Sequence, residues 1–489
     1  MQALIIDIPT TEIYTTKEFS LLSDKLKQYR LHDQDMKLSE KQGIKFPAPR
    51  SYNRGLLCIA AVLEKGGVSV DYQNSDYDPD FWGKCQDRIV GTDLLLFSAK
   101  SNNYPEILAL CRKAKQLNPE ITTILGGPHP TALPKECASE EAIDYLVLGE
   151  GEATVQELLS HLKTGSPQLG NIPGLAWYQQ GEAVINKLRC RIQEFENYPI
   201  PSYHLLPGGL NEYHPYIETS RGCSYNCGFC SGPGYWQRRV VTRSLAHFKE
   251  ELSLIDSLLE DSNLVHISDP AFGCYPKQAV ITDYLSRANL DLMFSCDVKA
   301  NYVEGAKVRE LLSAGVRVFS IGIETLNNKA LALLGKNCSA EAEVAACKEI
   351  KKSAAAYLKS YWIVGLPGED PKSLEANNRG IKTMLGHNVV DQVCNHLLVP
   401  YPGTDFFSTP EKYGIRIKHH DWAHYEGRSF PLVYELENIS SDEIYEFFLQ
   451  ANESELDFYQ EEYPNLRLKV EESHDNSGIS FGRYKGNLL

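Results

Sequence analysis

Three cysteines, Cys223, Cys227 and Cys230, lie close together at the spacing C-x-x-x-C-x-x-C. Thiolates at this spacing point inward from one tight loop, so together they can hold one soft metal centre. A structural zinc site or an electron-transfer [4Fe–4S] cluster uses four protein ligands, and the next cysteine, Cys274, lies beyond a predicted helix and strand. The count of three favours an iron–sulfur cluster with one open iron. The alternatives are a zinc site that borrows a distant fourth ligand and cysteines that are simply buried.

The triplet, with the aromatic Phe229 just before its last cysteine, resembles the radical SAM superfamily. In that family the open iron of a [4Fe–4S] cluster chelates S-adenosylmethionine (SAM). An electron from the cluster splits the sulfonium bond and gives a 5′-deoxyadenosyl radical, which abstracts hydrogen from an unactivated carbon. The resemblance also implies an external electron donor such as flavodoxin or ferredoxin.

The length, net charge and cysteine content of the chain limit the class of protein to which it can belong. A chain of 489 residues is long enough for two or three domains with full cores. The formal charge of −15 argues against nucleic acid or an anionic membrane as the main partner. There is no apolar run long enough to span a bilayer and no signal peptide, and thirteen scattered cysteines fit reduced thiols. We therefore expect a cytoplasmic protein.

Strands and helices alternate through the first 165 residues, with predicted strands near 3–8, 68–72, 93–98, 121–125 and 144–148. Such repeats predict a doubly wound, Rossmann-like parallel sheet whose ligand lies at the carboxyl ends of the strands. Residues 11–50 interrupt this pattern and are too long for an ordinary connection. We expect this insertion to form some helix of its own and to help select the substrate.

The segments GGPHPT (126–131) and DYLVLGEGEAT (144–154) resemble the cobalamin-binding domain that precedes the cluster in one branch of radical SAM enzymes. This resemblance makes residues 1–165 a cobalamin-binding domain. The cobalamin contacts that it implies are Ser98, Gly126, Gly127, His129, Gly149, Glu150 and Gly151. The D-x-H-x-x-G motif, whose histidine binds cobalt from below, is absent, as is usual in this branch. Some relatives keep the sheet and use it only to grip substrate.

A second alternating region follows. Residues 172–188 predict a hairpin around Gln180-Gly181, and 166–210 as a whole form a hairpin and linker. Predicted strands near 216–220, 264–268, 290–295, 316–321, 358–364 and 393–399 make six strand–helix units over 211–404. This predicts a partial (β/α)6 barrel with its chemistry at the carboxyl ends of the strands.

The family resemblance carries SAM contacts onto this barrel. It implies that Phe229 contacts SAM, that Glu324 bonds the SAM amino or ribose groups, that Ile363 and Gly365 border the adenine and ribose, and that Val399 and Tyr401 flank the adenine. Tyr361 departs from the family, which often has glycine there. The alternative for Glu324 is a carboxylate at a helix N-terminus, and for Gly365-Leu366-Pro367-Gly368-Glu369 a plain turn.

Several polar residues fall at predicted strand ends and are candidates for touching substrate. Asp269 and Tyr235 are the candidate catalytic residues, since a carboxyl or phenol there can move a proton. His266, Asp297 and Lys299 lie at similar positions. For each of them, ordinary hydrogen bonding at a strand end is the alternative.

The C-terminal region, 405–489, changes character. Residues 441–459 predict a helix with Ser440 or Ser441 as its N-cap, and we expect 405–460 to form a small, mainly helical lid on the barrel. The polar tail after Glu471 is expected to fray. No cysteine follows Cys394, which argues against an auxiliary cluster.

The resemblance implies a cobalamin-dependent radical SAM enzyme, and we predict a methyltransferase that acts on an unactivated carbon of a small molecule or natural product. A radical cyclisation, rearrangement or dehydration on the same scaffold is the first alternative. A non-catalytic metal-binding scaffold is the alternative of another class.

Overall fold

A computed structural model describes residues 1–9, 15–78, 80–468 and 479–480. Its first sheet has seven strands. These are β1 (Gln2–Asp7), β2 (Ser69–Asn74), β3 (Leu94–Ser98), β4 (Thr122–Gly126), β5 (Tyr145–Val147), β6 (Leu175–Gln179) and β7 (Glu182–Ile185). They lie in the order β2-β1-β3-β4-β5-β6-β7, with the first five parallel. This is the doubly wound sheet that the sequence predicts, and its first five strands have the order of flavodoxin-like folds.

Helices cover both faces of this sheet, which is why its central strands are apolar throughout. Helix α1 (Lys17–Gln34) leaves the sheet. The helices that cover it are α2 (Arg54–Lys65), α3 (Phe81–Ile89), α4 (Tyr104–Leu117) and α5 (Glu152–Thr164). In β1, Leu4, Ile5 and Ile6 are each fully buried. Helix α2 begins where the Asn53 side chain accepts a hydrogen bond from the amide of Leu56.

The predicted hairpin is the pair β6–β7, and it does more than link two domains. Gln180 and Gly181 both have positive φ, +52° and +88°, as a two-residue hairpin turn requires. Strand β6 pairs antiparallel with β5, so the hairpin extends the first sheet. The linker begins only after β7.

The second sheet has six parallel strands, the number predicted. They are β8 (Tyr216–Ile217), β9 (Leu264–Ile267), β10 (Met293–Val298), β11 (Val316–Glu324), β12 (Tyr357–Val364) and β13 (Gln392–Leu397). They lie in sequence order, and the flanking helices are α6 (Leu245–Leu258), α7 (Ala279–Arg287), α8 (Gly305–Ser313), α9 (Ala340–Ile350) and α10 (Pro371–Gly386). The six units form a curved, open sheet, the partial barrel.

The insertion at 11–50 corrects one expectation. Residues 10–14 lie outside the described ranges, but α1 leaves the first domain and packs against the barrel. Gln34 donates to Gln392 at the start of β13, and farther on the amide of Lys45 donates to Asn263, just before β9. The segment therefore crosses the amino ends of the barrel strands. It closes the bottom of the barrel and does not lie at the carboxyl ends, where a substrate-selecting loop would be.

The C-terminal region also differs from expectation. Helix α11 (Ser441–Glu462) has the predicted cap, since the Ser440 side chain accepts from the amide of Glu443. It packs along α10, α1 and β13, at the side of the barrel. Trp422 reaches the first domain, where its ring nitrogen donates to Glu136 at 2.8 Å. The region is a brace between domains, not a lid, and the tail predicted to fray is almost entirely outside the described residues.

No helix among the described residues combines the length and apolar character needed to cross a bilayer.

Candidate active site between the two domains

The cysteine loop sits just after a short ribbon in which Ser220–Arg221 pairs antiparallel with Val241–Thr242. Two backbone contacts fix the loop to the barrel: the amide of Gly228 donates to the Leu334 carbonyl at 2.9 Å, and the amide of Phe406 donates to the Gly228 carbonyl at 3.1 Å. A side chain on Gly228 would lie 2.8 Å from the Phe406 ring. The glycine between the second and third cysteines is therefore required by close packing.

The three thiols are held in a way that suits a cluster. Cys223 and Cys227 are buried and Cys230 is partly exposed. The amide of Gly232 donates to the Cys230 sulfur at 3.3 Å, the kind of hydrogen bond that tunes iron–sulfur clusters. Within the described ranges, no three His, Cys, Asp or Glu side chains converge on a point for one metal ion. Three thiolates on one loop are the protein ligands that a [4Fe–4S] cluster with one open iron needs, because each thiolate bonds its own iron.

A cavity of about 410 Å³, the interface cavity, lies between the first sheet and the barrel. Its walls include six of the seven residues predicted to contact cobalamin: Ser98, Gly126, Gly127, Gly149, Glu150 and Gly151. The barrel contributes Ser231 and Gly232, which follow the last cysteine, and Tyr235 and Trp236. The wall combines glycine and apolar residues with a few polar groups, which suits a flat macrocycle with amide side chains. No histidine lies among the residues that line it.

His129, the seventh predicted contact, is in a different place. It is 2% exposed, its Nδ1 lies 3.1 Å from the Ser101 hydroxyl, and its ring packs between Tyr104 and Trp422. Burial lowers the pKa of His129 to about 4, so the ring is neutral. The short helix Pro128–Ala132 turns this side chain away from the cavity, towards the C-terminal brace, so His129 does not line the cavity wall and its contact with cobalamin stays a prediction.

Buried ion pairs connect the two domains at the interface cavity, and its wall includes some of their residues, Arg54, Glu150, Glu152, Glu218 and Arg221. Arg221, just before the cysteine loop, donates to Glu152 of α5 at 2.6 Å and to Glu218 at 2.9 Å. Arg54 of α2 bonds Glu251 of α6 at 2.9 Å. The complete set is Arg54, Arg191, Arg221 and Arg243 with Glu150, Glu152, Glu218 and Glu251. Four positive and four negative charges balance, which offsets the cost of burying them.

A second cavity, about 260 Å³, lies at the mouth of the barrel. Tyr225 of the loop lines it, as do Glu324 at the end of β11 and Tyr361 of β12. Glu324 has a φ of +64°, unusual for a residue with a side chain, and its carboxylate lies 3.5 Å from the Lys336 ammonium. Lys336 also bonds Glu343 at 2.9 Å. Residues in and just after the cysteine loop thus line two cavities, which we call the interface cavity and the mouth cavity.

The other predicted SAM contacts do not line the mouth cavity. A side chain on Gly365 would lie 2.3 Å from the Tyr434 hydroxyl, which donates to the Gly365 carbonyl at 2.8 Å. Glu369 accepts from the amides of Gly365 and Leu366, at 3.1 and 2.8 Å. Gly365 is therefore required by the turn and by packing, which is what the plain-turn alternative predicts. Phe229, Ile363, Val399 and Tyr401 also lie outside the mouth-cavity wall, against the second hydrophobic core.

Of the two candidate catalytic residues, Asp269 is fully buried. Its carboxylate accepts from the Thr219 amide at 2.7 Å, the Ser220 hydroxyl at 2.6 Å and the Gln278 amide group at 2.7 Å. All of its capacity is used to hold the segment before the cysteines, so it is a positioning residue. Tyr235 does line the interface cavity, where its hydroxyl donates to the Gly149 carbonyl at 2.9 Å.

Sequence reasoning missed the charged partners. Lys336 pairs with Glu324, 12 positions earlier, and with Glu343, and Arg191 pairs with Glu150, 41 positions earlier. No local pattern signals such pairs. The polar residues of the mouth cavity include Asp297 and Lys299, which strand-end placement did identify.

Two family matches now decide what the chain is. Residues 48–159 match the B12 binding domain family, and residues 217–377 match the radical SAM superfamily. The chain is a radical SAM enzyme with a B12-binding domain. Its cofactors are therefore a [4Fe–4S] cluster, SAM and cobalamin, in agreement with the cysteine loop and the two cavities.

Similar proteins support the same arrangement. An uncharacterised methyltransferase of Pyrococcus horikoshii is 29% identical over 320 residues, which span 64% of this radical SAM enzyme and 68% of the relative. An anaerobic magnesium-protoporphyrin IX monomethyl ester cyclase of Synechocystis is 24% identical over 78% of this chain and 77% of its own. The solved structure of the radical SAM methyltransferase TsrM from Kitasatospora setae, with cobalamin and a [4Fe–4S] cluster bound, has a TM-score of 0.65. It is 16% identical and covers 87% of this chain and 84% of its own, so it supports the fold.

Proposed function

We propose that this enzyme is a cobalamin-dependent radical SAM methyltransferase that acts on an unactivated carbon of a small molecule. The observation that carries the proposal is that residues in and just after the cysteine loop line two cavities. One cavity, at the interface, is built from the glycine-rich strand ends of the B12-binding domain. The other, at the barrel mouth, contains Glu324 and Lys336. A methyl donor and a radical source can therefore approach one substrate from two sides.

We propose that the residues of the mouth cavity hold SAM. Bound to the cluster, SAM supplies the radical that removes hydrogen from carbon. The Glu324 carboxylate is suited to an amino or hydroxyl group, because it lines the cavity beside Lys336, whose ammonium lies 3.5 Å away. Tyr225 borders the same space from the cysteine loop. The role of these residues is to orient the reactants, which is the main contribution a protein makes when its cofactors do the chemistry.

On the other side, the glycines at 126–127 and 149–151 allow a macrocycle to approach the backbone closely. Tyr235 joins this wall to the barrel through its bond to Gly149, and the ion pairs of Arg221 hold the domains at a fixed distance. Such rigidity keeps the reacting groups in line and limits the entry of water. We propose Tyr235 as a residue that positions the cavity wall.

A radical cyclisation is the second candidate, since the cyclase of Synechocystis matches a larger share of this chain than the Pyrococcus methyltransferase does. The two functions leave different products from SAM. Methylation of an unactivated carbon consumes two SAM molecules: one gives up its methyl group by way of cobalamin and leaves S-adenosylhomocysteine, and the other takes the hydrogen and leaves methionine and 5′-deoxyadenosine. A cyclisation needs only the cleavage that leaves methionine and 5′-deoxyadenosine.

The test is anaerobic reconstitution of the full chain with iron, sulfide and cobalamin, followed by reduction and addition of SAM with a deuterated methyl group. Formation of S-adenosylhomocysteine, with label on cobalamin, supports methylation. Formation of 5′-deoxyadenosine alone, with cobalamin bound but unlabelled, contradicts it and favours the second candidate. Omitting cobalamin is the matched control, because it removes only the methyl carrier.

A further inference from the structure

The concave face of the barrel sheet is polar and open to solvent, although its convex face is fully packed. On β12, Leu358 and Trp362 point outward and are 0% and 2% exposed. Tyr361, between them on a strand inside the sheet, is 37% exposed. Side chains alternate along a strand, so Lys359 and Tyr361 share the inner face. Exposure at this position requires an open space inside the barrel, which we call the lumen.

The register of the strands gives the rest of the lumen wall. Lys359 pairs with Ser320 of β11, which pairs with Asp297 of β10. One layer lower, Ser295 of β10 pairs with His266 of β9. The lumen is therefore lined by hydroxyl, imidazole, carboxyl and ammonium groups, where most barrels place branched apolar residues.

The lower end of the lumen is closed. Leu38 and Ile44, from the segment that follows α1, pack with Leu264, Val318 and Tyr357 near the starts of the barrel strands. Buried apolar residues thus form a floor. Above, Asp297 and Tyr361 also line the mouth cavity. The lumen is therefore continuous at its upper end with the mouth cavity.

Lys359 stands in the middle of this pocket without a partner. Among the described residues it makes no ion pair and no hydrogen bond, and its side chain is partly exposed. By contrast, Arg30, the nearest guanidinium, is fully used by Glu455 and by the Val393 carbonyl. The ammonium of Lys359 therefore has hydrogen-bonding capacity that no described residue fills, which suits it to binding an anion.

Most of the titratable groups that face Lys359 are neutral at pH 7. Burial lowers the pKa of His266 and of His396 to about 4 and that of His214 to about 3, so all three rings are neutral at pH 7. Burial raises the pKa of the one facing carboxyl, Asp297, to about 6. Cys394 and Tyr361 also face it, and burial raises the pKa of both groups, which keeps them neutral. With a pKa of about 6, Asp297 is largely ionised at pH 7, so the lumen holds one ammonium, Lys359, and one carboxylate two strands away, among neutral hydrogen-bonding groups.

We propose that the lumen is the substrate pocket of this enzyme and that Lys359 binds an oxyanion of the substrate, a carboxylate or a phosphate. The proposal rests on the proposed function, because it places the substrate below the SAM site. From Lys359 to Ile363 the strand rises about 13 Å. A substrate anchored at Lys359 and reacting at the mouth is thus a small molecule, with its anionic end in the lumen and its reacting carbon about that far above.

Site-resolved amine labelling tests this directly. The reconstituted full chain is treated briefly with trinitrobenzenesulfonate at pH 7, and each lysine is quantified by peptide mass spectrometry. We expect Lys359 to react faster than the exposed Lys277, since burial lowers the pKa of Lys359. Phosphate or succinate is expected to slow the labelling of Lys359 at least fivefold. The neutral succinamide, the matched control, is expected to have no effect.

Equilibrium dialysis with radioactive phosphate and succinate gives a second measurement. Lys359→Met is expected to weaken binding of the preferred anion at least tenfold, and Lys359→Arg to keep it within threefold. The anion that binds more tightly identifies the group on the substrate. The surface variant Lys382→Met is the control, since its side chain is exposed and distant in the fold.

Protection by neither anion, failure of Lys359 to react while Lys277 does, or undiminished binding in Lys359→Met overturns the proposal. These outcomes do not depend on SAM chemistry. If labelled methyl never leaves SAM but Lys359 is protected by an anion, methylation is wrong and the anion pocket stands. If methyl transfer occurs but no anion binds, the reverse holds.

Discussion

The guanidinium of Arg221 donates to the carboxylate of Glu152 at 2.6 Å, and both side chains are buried, with 8% and 5% of their surface exposed. One residue precedes the cluster cysteines and the other begins α5 of the B12-binding domain. The pair therefore fixes the cysteine loop relative to the glycine-rich strand ends. The distance between the cluster and the interface cavity depends on this contact.

Removal of the Arg221 guanidinium should lower the stability of the fold. Arg221→Met leaves Glu152 buried without a counter-charge, while Glu218 keeps Arg54, and we expect the free energy of unfolding to fall by about 3 kcal/mol. Urea unfolding followed by circular dichroism measures it. Arg416→Met, at an exposed ion pair with Glu435, is the control and should change stability by less than about 1 kcal/mol. Equal effects of the two variants would show that the interdomain pair carries no special weight.

The same network predicts how stability depends on pH. Burial by itself would raise the pKa of Glu251, but the guanidinium groups of Arg54 and Arg243 outweigh it and lower the pKa to about 2, from an ordinary 4.5. A lowered carboxyl pKa gives stability that is complete above pH 4.5 and is lost as the pH falls towards 2. The contribution at neutral pH is about 3 kcal/mol.

Glu251→Gln removes this titration. We expect the variant to be less stable than wild type at pH 7, with the difference shrinking as the pH falls from about 4.5 to about 2. Thermal unfolding across that range measures it. Glu446→Gln, on the exposed face of α11, is the matched control and should follow the wild-type curve. A Glu251→Gln curve parallel to wild type throughout would contradict the assigned cause.

What the sequence predicts well here is local. The spacing of Cys223, Cys227 and Cys230, the glycines at strand ends and the capped helices all follow from neighbouring residues. The partners of α1 do not: Arg30 bonds Glu455, 425 positions away. Helix formation in the insertion is a matter of local pattern, but its location under the barrel depends on that distant contact. The same limit hides the Arg221–Glu152 pair, which spans 69 positions.

His129 illustrates a second limit. A family motif identifies the loop at a strand end but not the direction of each side chain, which here depends on Trp422 of the C-terminal brace. The glycines of that loop do reach the interface cavity because a glycine contributes only its backbone. Motif resemblance is thus more reliable for backbone positions than for side chains.

A comparison of cysteine variants distinguishes a cluster with an open iron from a closed metal site. Each of Cys223→Ala, Cys227→Ala and Cys230→Ala should abolish the visible absorption of the reconstituted cluster. Each should also abolish the cleavage of SAM. Cys274→Ala should keep both, because Cys274 is a buried thiol that contacts the Phe272 carbonyl. If Cys274→Ala also loses the metal, or if the bound metal is zinc, the open-iron interpretation is wrong.

Two adjacent glycines should behave differently. Gly127 has a φ of +102°, and a side chain there would lie 2.6 Å from the Ala99 carbonyl oxygen, so Gly127→Ala should destabilise the fold. At Gly126 the nearest atom would be 3.5 Å away, an ordinary contact. Gly126→Ala should fold normally and weaken cobalamin binding about tenfold, because the added methyl group lies at the cavity wall. Fluorescence titration with cobalamin and thermal unfolding separate these effects, and unchanged cobalamin affinity in Gly126→Ala would argue against this wall as the binding surface.

His129 offers the last test of where cobalamin binds. Because its ring lies between Tyr104 and Trp422 and not on the interface cavity, His129→Phe should retain cobalamin with an unchanged visible spectrum. The protein itself should respond to the loss of the bond to Ser101, with a fall in stability of about 1 kcal/mol. Absorption spectra and thermal unfolding of the cobalamin-loaded variant measure the two effects. A shifted cobalt spectrum in His129→Phe would mean that this imidazole reaches the metal, which would require the loop at 126–131 to rearrange when cobalamin binds.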